Sequence, residues 1–299
     1  MSVFSNFSKT TIDVFLERAI QKARKTFESP KPPKPFLPNI DQLKLSIRTR
    51  NEEIDRRLHP KRPSLPSALP PDAKAEADRF LQKQGIVSKL EKEQVTNRDL
   101  DRLRPGQWLN DELINFYGQM ILSRSIEADA AKENGKTYLN VHYFSTFFWP
   151  KLQTGYEKSR LAKWTKKVDI FLKDIVLIPI NHGNAHWTMS AINFRCKRIE
   201  SYDSMLLDRS QVYKSLRMYL DEEHKNKKKK PFDFTGWEDY ELEDTPEQEN
   251  GFDCGVFTCQ FMESLSRGEE SFGFTQRDMP YLRQRMIWEI GHARLWDTS

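Results

Sequence analysis

Glycine and cysteine are scarce in this chain, and glycine, tryptophan and cysteine are all missing from its beginning. The first glycine is Gly85, the first tryptophan is Trp108, and the 299 residues include only three cysteines. A small, odd number of cysteines argues against a disulfide framework and indicates a reducing compartment. No run of about 18 apolar residues is present, so no membrane span is expected. The N-terminal residues also lack the layout of a secretory signal, and we expect a soluble intracellular protein.

Negative charge is sparse in the first 71 residues. This segment holds 14 Lys and Arg against 7 Asp and Glu, a net charge of +7, and 10 of the 16 prolines. The remaining residues hold 34 Lys and Arg against 36 Asp and Glu, a net charge of −2. The change predicts a basic, Pro-rich, largely disordered extension over residues 1–68, with one amphipathic helix from Thr11 to Phe27, and a folded domain over residues 69–299. Because the folded part is nearly neutral, we expect no nucleic-acid binding.

Two clusters of basic residues could carry a further function. The first comprises Arg56, Arg57, Lys61 and Arg62, which is typical of a nuclear import signal and predicts a mainly nuclear protein. The second comprises Lys225 and residues 227–230. We interpret the second cluster first as a solvated helix end, and otherwise as an import signal or an anion-binding patch.

Cys254 stands out because it lies between two glycines, in Gly251-Phe252-Asp253-Cys254-Gly255. Flanking glycines allow a sharp turn and the close approach of a substrate. The apolar residues that follow have helical spacing (Val256, Phe257, Phe261, Met262 and Leu265). A cysteine in the first turn of a buried helix feels the positive end of the helix dipole, which favours the thiolate. Cys254 is therefore a candidate nucleophile, although a free cysteine is more often a small buried hydrophobe.

A base and an acid for this cysteine lie on two predicted strands. Residues 175–180 predict a buried strand, 181–184 a turn, 186–193 a second strand and 197–203 a third. If the second and third strands form a hairpin that turns at residues 194–196, His186 lies directly opposite Asp203. Opposed Cβ atoms are about 4.5–5.5 Å apart. A carboxylate at that range can accept the Nδ1 proton of the imidazole and leave Nε2 for the nucleophile. A cross-strand ion pair without catalytic function has the same pattern.

Gln248 precedes the cysteine on a loop, where its side-chain amide could stabilise a developing oxyanion. A zinc site is the competing chemistry, because His182 and His186 are spaced like zinc ligands and Cys254 and Cys259 could complete the set. We disfavour it, because a predicted turn separates the two histidines and Cys259 is off the helical face of Cys254. No cofactor or metal is therefore expected, and Cys196 and Cys259 are interpreted as turn or core thiols.

Five motifs occur in order over about residues 70–299. They are residues 108–117 (WLNDELINFY), residues 141–148 (VHYFSTFF), residues 185–187 (AHW), residues 202–205 (YDSM) and residues 248–255 (QENGFDCG). With these motifs the chain resembles the SUMO-specific cysteine proteases of the Ulp/sentrin-protease family. The resemblance implies a papain-like α+β fold with a central mixed sheet flanked by helices, and a catalytic cysteine that opens the central helix.

The resemblance also implies roles for individual residues. Cys254, His186, Asp203 and Gln248 would form the catalytic group. Trp108 and Trp187 would enclose the C-terminal Gly-Gly of SUMO, since flat indole walls admit only residues without side chains. Asp111 would pair with a basic residue near the SUMO tail, although an aspartate there could equally be a helix cap. Phe144 would contact substrate.

The implied function is cleavage after the Gly-Gly of SUMO, both to mature the precursor and to release SUMO from conjugated lysines. The absence of a long insertion in the catalytic region favours this subtype over the chain-editing type. The expected partner is SUMO, and the expected state is a monomer. The alternatives are a protease for another ubiquitin-like modifier such as NEDD8, a protein acetyltransferase of related cysteine fold, and a SUMO-binding module without activity.

Overall fold

The computed structural model describes residues 9–28, 64–131 and 138–296. The chain divides into two units, Met1–Lys61 and Arg62–Ser299. The first unit contains α1 (Lys9–Glu28), which includes the predicted amphipathic helix. The proposed import cluster lies outside the described residues. Within the described ranges, no helix combines the length and hydrophobicity that a membrane span requires.

The second unit contains the remaining helices and strands. The helices are α2 (Pro71–Gln82), α3 (Asn97–Leu100), α4 (Asp111–Ala131), α5 (Phe148–Thr154), α6 (Ser210–Lys228), α7 (Cys254–Ser266) and α8 (Met279–His292). The strands are β1 (Ile86–Leu90), β2 (Glu93–Thr96), β3 (Val141–Tyr143), β4 (Ile175–His182), β5 (His186–Asn193), β6 (Arg198–Tyr202) and β7 (Glu238–Tyr240). Strands β1 and β2 form a separate antiparallel pair.

The central sheet has five strands in the order β3-β4-β5-β6-β7. The β3–β4 and β6–β7 pairs are parallel, and β4–β5 and β5–β6 are antiparallel. Strand β4 is a nearly continuous apolar run because both of its faces are covered. Its alternate side chains enter two cores: Ile175 and Leu177 belong to the first, and Val176 and Ile178 to the second.

Helix α7 lies in the first core, together with side chains of α4 and α8, while α5 and α6 contribute to the second core. Every residue of α7 is buried. The predicted apolar run after Cys254 is therefore a helix whose whole surface is covered by protein. A mixed sheet with helices on both faces confirms the predicted α+β class.

Candidate active site

Cys254 is the first residue of α7, and the loop before it is held by its own polar side chains. Asn250 Oδ1 accepts hydrogen bonds from the backbone N–H groups of Phe252 and Asp253, at 3.0 and 3.1 Å. Asn250 Nδ2 donates to Asp253 Oδ2 at 2.7 Å. Cys254 itself is only 2% exposed. These contacts fix the sulfur at the N-terminal end of the helix, where the helix dipole favours negative charge.

A buried ion pair anchors the same loop. Nη2 of Arg283, a residue of α8, lies 2.7 Å from Oδ1 of Asp253. Arg283 also donates hydrogen bonds to backbone carbonyls in segment 102–107 and to the carbonyl of residue 252. Arg283 thus joins the loop before Cys254 to the segment before Trp108. The sequence analysis did not identify it, and the signal available was an arginine among the apolar residues of α8.

The two glycines beside Cys254 differ from the prediction of a sharp turn, because neither has a positive φ. A Cβ on Gly255 would lie 2.7 Å from Leu109 Cβ. A Cβ on Gly251 would meet nothing within 4 Å. Gly255 is therefore needed for close packing. Gly251 instead lies beside open space, and a side chain there would meet no neighbour.

His186, the first residue of β5, lies against Asp203, which follows β6. The distance from His186 Nε2 to Asp203 Oδ1 is 2.6 Å, and both side chains are buried. The structure therefore brings the predicted base and acid together.

The predicted hairpin register was wrong, although the contact is present. Asn193 pairs with Arg198 and Met189 with Tyr202, so the turn has one residue more than predicted. Asn193 Oδ1 accepts hydrogen bonds from the N–H groups of residues 195 and 196, and Lys197 has a φ of 55°. Continued to the ends of the strands, this register is shifted by two positions from the predicted one. A two-residue shift keeps side chains on the same face, so His186 and Asp203 still meet as diagonal neighbours.

The predicted assignment of the ring nitrogens was also wrong. Nε2 of His186 faces Asp203, and Nδ1 is buried without a hydrogen-bond partner among the described residues. Nδ1 is thus the nitrogen left for the nucleophile. Strand spacing alone does not determine χ2 of a histidine, so the sequence could not decide between the two orientations.

Burial and charge act in opposite directions on this pair. Burial alone would lower the pKa of His186, but the hydrogen bond to Asp203 and the charges of Asp203 and Cys254 raise it from 6.5 to about 9. Burial raises the pKa of Asp203, but hydrogen bonds from His186 and the Met205 N–H, and the charges of His186 and Arg209, lower it below its usual value. At neutral pH the pair is therefore an imidazolium and a carboxylate.

The two tryptophans both lie close to Leu109 but in different environments. Trp187 is buried, and its Nε1 donates to the Leu109 carbonyl at 3.1 Å. Trp108 is 42% exposed. Because Leu109 also packs on Gly255, the segment that carries Trp108 lies beside the start of α7. The role of the two tryptophans as walls next to Cys254 stays a prediction.

Gln248 belongs to the loop before Cys254 and is held at both ends of its amide. Its Oε1 accepts from Ser204 Oγ at 2.7 Å, and its Nε2 donates to the Asn250 carbonyl at 2.6 Å. A primary amide has two N–H groups, so among the described residues one N–H of Gln248 remains to donate to another acceptor.

Asp111 begins α4 but is not its cap. The neighbouring Asn110 accepts a hydrogen bond from the Leu113 N–H at 3.3 Å, as a capping residue does. Asp111 is partly exposed and has no ion pair within the described part of the chain. Its carboxylate is therefore available to a partner.

Phe144 does not fit the predicted substrate contact. It is 2% exposed and belongs to the core on the face of the sheet opposite Cys254. Its ring stacks on Phe148 with centroids 4.0 Å apart. The prediction was wrong because an aromatic residue in a motif was taken for a contact residue when it builds the second core.

The residues of the competing zinc proposal have other partners. His182 pairs with His186 across β4 and β5, but its Nε2 lies 2.9 Å from Thr188 Oγ1. Cys259 is fully buried, whereas Cys196 lies half-buried in the β5–β6 turn. The described residues contain no group of three or more side chains suited to hold a metal ion.

The second basic cluster is largely used within the protein. Lys227 Nζ donates to the carbonyls of Thr165 and Val168 at 2.6 and 2.7 Å. Lys228 pairs with Asp169 at 2.6 Å, and Lys225 pairs with an acidic residue one turn earlier. These contacts favour the interpretation of this cluster as the end of α6.

Residues 107–295 match the Ulp1 protease family, C-terminal catalytic domain. A sentrin-specific protease of Caenorhabditis elegans is 44% identical over 207 residues, which are 69% of this chain and 28% of that protein. Sentrin-specific protease 2 of Homo sapiens is 37% identical over 212 residues, which are 70% of this chain and 34% of that protein. The chain thus spans only about a third of the length of these relatives.

Two solved structures share the fold. The catalytic domain of the Chaetomium thermophilum Ulp1-like SUMO protease has a TM-score of 0.68 and 22% identity, and the match covers 80% of this chain and 96% of that one. The C-terminal Ulp1 protease domain in complex with Smt3, the yeast orthologue of SUMO, has a TM-score of 0.62 and 23% identity, with coverage of 77% and 99%. With the family match over residues 107–295, this chain belongs to the Ulp1 protease family.

Proposed function

We propose that this chain is a SUMO-specific cysteine protease that cleaves after the C-terminal Gly-Gly of SUMO. It would act both on the precursor and on the isopeptide bond to a lysine of a conjugated protein. The observation that carries the proposal is the position of Cys254, at the start of a buried helix and beside the His186–Asp203 pair. In this pair the pKa of His186 is raised to about 9, so the imidazole is charged at neutral pH. The names of the relatives, sentrin-specific proteases, support SUMO as the substrate.

The proposed reaction begins with a thiolate on Cys254 and a proton on His186. The thiolate attacks the carbonyl carbon of the terminal glycine, and the negative charge moves to the carbonyl oxygen. The free N–H of Gln248 is the proposed donor to that oxygen. When the C–N bond breaks, His186 Nδ1 gives its proton to the leaving amine.

The second half of the reaction removes SUMO from the enzyme. The neutral His186 accepts a proton from water, and the resulting hydroxide attacks the thioester of Cys254. The C–S bond breaks, which restores the thiolate and releases the SUMO tail as a carboxylic acid, and the acid then gives its proton to solvent. Asp203 holds the imidazole in place through both steps and stabilises its charged form.

Specificity would come from exclusion around the scissile bond and from charge farther away. Trp108 and Trp187 are the proposed walls around the two glycines, which lack the side chains that such walls would reject. Asp111 is the proposed partner of a basic residue close to the SUMO tail. Its position at the first residue of α4, next to the segment that carries Trp108, suits that role.

The test is a covalent reaction with modifiers that carry a C-terminal electrophile. We expect SUMO to attach to the parent protein and not to Cys254→Ala. Cys196→Ser, which alters the half-buried thiol in the β5–β6 turn, is the matched control and should react like the parent. Attachment of NEDD8 in place of SUMO would assign the chain to that modifier. Failure of both probes, with acetyl transfer from acetyl-coenzyme A to a protein lysine, would replace the protease with an acetyltransferase.

The nuclear location is proposed from the cluster Arg56, Arg57, Lys61 and Arg62, which lies outside the described residues. Replacing all four residues with alanine in the fluorescently tagged full chain should lower its nuclear fraction. The matched control replaces Lys227 to Lys230 with alanine. Lys227 and Lys228 already have partners in segment 165–169 of the same folded unit. An equal nuclear fraction in the parent and the first variant would contradict the import role.

A further inference from the structure

Asp203 has a second charged neighbour besides His186. Arg209, which immediately precedes α6, places Nε 2.7 Å and Nη2 2.5 Å from Asp203 Oδ2. The Arg209 side chain is 16% exposed. A guanidinium with two N–H groups on one oxygen is a directional contact, and partial burial limits its screening by solvent.

The other oxygen of Asp203 is also fully used. Oδ1 accepts the His186 Nε2 hydrogen bond at 2.6 Å and the Met205 backbone N–H at 2.8 Å. Each carboxylate oxygen therefore has two donors, on opposite sides of the group. Rotation of the carboxylate would break contacts at both ends, so Arg209 fixes the oxygen that His186 meets.

The charged and titratable groups around the His186–Asp203 pair come from three parts of the fold, one of which is the segment of Arg209. Cys254 faces His186 from α7. His182 faces it from the end of β4, with the ring centroids 6.4 Å apart. Burial and the positive charges of Arg209 and His186 lower the pKa of His182 to about 4, so His182 is neutral at pH 7. Within the described residues, Arg209 is therefore the one permanent cation in contact with Asp203.

We propose that Arg209 is a positioning residue that acts on His186 through Asp203. It holds the carboxylate in the orientation that the imidazole requires, and it offsets part of the negative charge that retains the imidazolium proton. Its effect on turnover rests on the proposed protease function, whereas its effect on the protonation of His186 does not.

The two parts of this role have different physical requirements. Offsetting the charge of Asp203 needs only a cation near Oδ2, and a lysine can provide it. Holding the orientation needs two N–H groups in a fixed plane, which a lysine ammonium does not provide. Substitution by methionine removes both contributions and keeps most of the side-chain volume. Arg209→Lys and Arg209→Met therefore separate charge from orientation.

The first measurement is the titration of the His186 ring by NMR in the full-length protein, without substrate. In Arg209→Met we expect the midpoint to rise above that of the parent by about half a pH unit, because Asp203 keeps its whole charge for His186. In Arg209→Lys the midpoint should return to the parent value. Arg217→Met is the matched control, since Arg217 on α6 pairs with Asp239 and not with Asp203. Its midpoint should equal that of the parent.

The second measurement is steady-state cleavage of a SUMO precursor. We expect kcat of Arg209→Met to fall about tenfold with little change in KM, because misplacement of a catalytic group slows the chemical step. Arg209→Lys should recover only part of this loss, and Arg217→Met should be unaffected.

Three results would overturn the proposal. An unchanged His186 midpoint in Arg209→Met would show that the cation does not act through Asp203. A raised KM with an unchanged kcat would show that Arg209 binds substrate. A lower melting temperature in Arg209→Met with neither the midpoint nor kcat changed would mean a purely structural ion pair. If the parent cleaves no SUMO substrate, the proposed function fails, yet the NMR titration still decides the role of Arg209.

Discussion

The two ends of α7 carry charged clusters of opposite design. At the first residue, Cys254 lies near His186, whose Nδ1 is buried without a hydrogen-bond partner among the described residues. Near the other end of the same helix, Glu263 lies in the core with Arg124 Nη1 and Arg267 Nε at 2.7 and 2.5 Å. Both clusters are buried, but the central carboxylate of the second is paired with two arginines, whereas the imidazole of the first keeps one nitrogen without a hydrogen-bond partner among the described residues.

The pKa values reflect this difference. Burial raises the pKa of Glu263, but the positive charges of Arg124, Arg267 and Arg285 lower it to about 2. The cluster is thus permanently ionised and has no proton to exchange near neutral pH. His186, with a pKa of about 9, can give and regain a proton in a reaction. A buried carboxylate held by two arginines stabilises the arrangement of helices, whereas an imidazolium with an unused nitrogen can do chemistry.

The largest expected effect comes from Asp203→Asn at the first cluster. An amide cannot stabilise the imidazolium as a carboxylate does, so kcat should fall on the order of a thousandfold. Asp239→Asn, which changes an exposed carboxylate paired with Arg217, should leave kcat unchanged. The measurement is kcat beside a thermal melt. Equal losses of kcat and of folded protein would make Asp203 a structural residue.

Glu263→Gln should have the largest effect on stability. It leaves Arg124 and Arg267 buried without their carboxylate, which should cost about 3 kcal/mol of the free energy of unfolding. Asp78→Asn breaks an exposed pair with Lys74 and should change it by less than about 0.5 kcal/mol. Urea unfolding at pH 7 measures both variants. The activity of the folded Glu263→Gln protein should equal that of the parent, and a loss there would connect the two ends of α7.

The first cluster could be predicted from the sequence more completely than the second. Cys254, His186 and Asp203 lie next to strong local patterns, namely a Gly-flanked helix start and two strand ends. The contact between His186 and Asp203 also survived an error in register, because a shift of two residues preserves the face of a strand. The sequence did not predict which ring nitrogen of His186 faces Asp203, because this depends on a torsion angle that residue spacing does not constrain.

The second cluster depends on contacts between distant segments. Arg124 and Glu263 are 139 positions apart in the sequence, and no periodicity indicates that their side chains meet. The same holds for Arg283 and segment 102–107. It also holds for Arg209, because nothing in the sequence distinguishes this arginine from any other charged residue of a polar loop. Phe144 shows the converse error, since its motif was informative about the fold and not about substrate contact.

Gly255→Ala should have a moderate effect, and Gly251→Ala almost none. A Cβ at Gly255 would press on Leu109 Cβ at 2.7 Å, where crowding typically costs about 1–3 kcal/mol. A Cβ at Gly251 meets nothing, and the backbone there has no positive φ, so the free energy of unfolding should change by less than about 0.5 kcal/mol. Urea unfolding of both variants measures the difference. Equal stabilities would show that Leu109 moves away without cost.

The pH dependence of stability should also differ between the two ends of α7. The pKa of His186 is raised on folding, so its proton stabilises the fold fully below about pH 6.5, and this contribution is lost as the pH rises through about 9. The pKa of Glu263 is lowered on folding, so its stabilisation is present above the usual value of 4.5 and is lost as the pH falls toward about 2.

The loss of stability at alkaline pH (the alkaline limit) and the loss at acid pH (the acid limit) can be separated by measuring urea unfolding across the pH range. The proteins compared are the parent, Asp203→Asn and Glu263→Gln. Asp203→Asn removes the carboxylate that raises the pKa of His186, so the loss of stability near pH 9 should become smaller. Glu263→Gln removes a carboxylate that titrates near pH 2, so stability should fall less steeply on the acid side. Each variant should leave the opposite limit unchanged, because the clusters share no side chain. If Glu263→Gln also altered the alkaline limit, the charges at the two ends of α7 would be coupled, and the helix could not be treated as two independent sites.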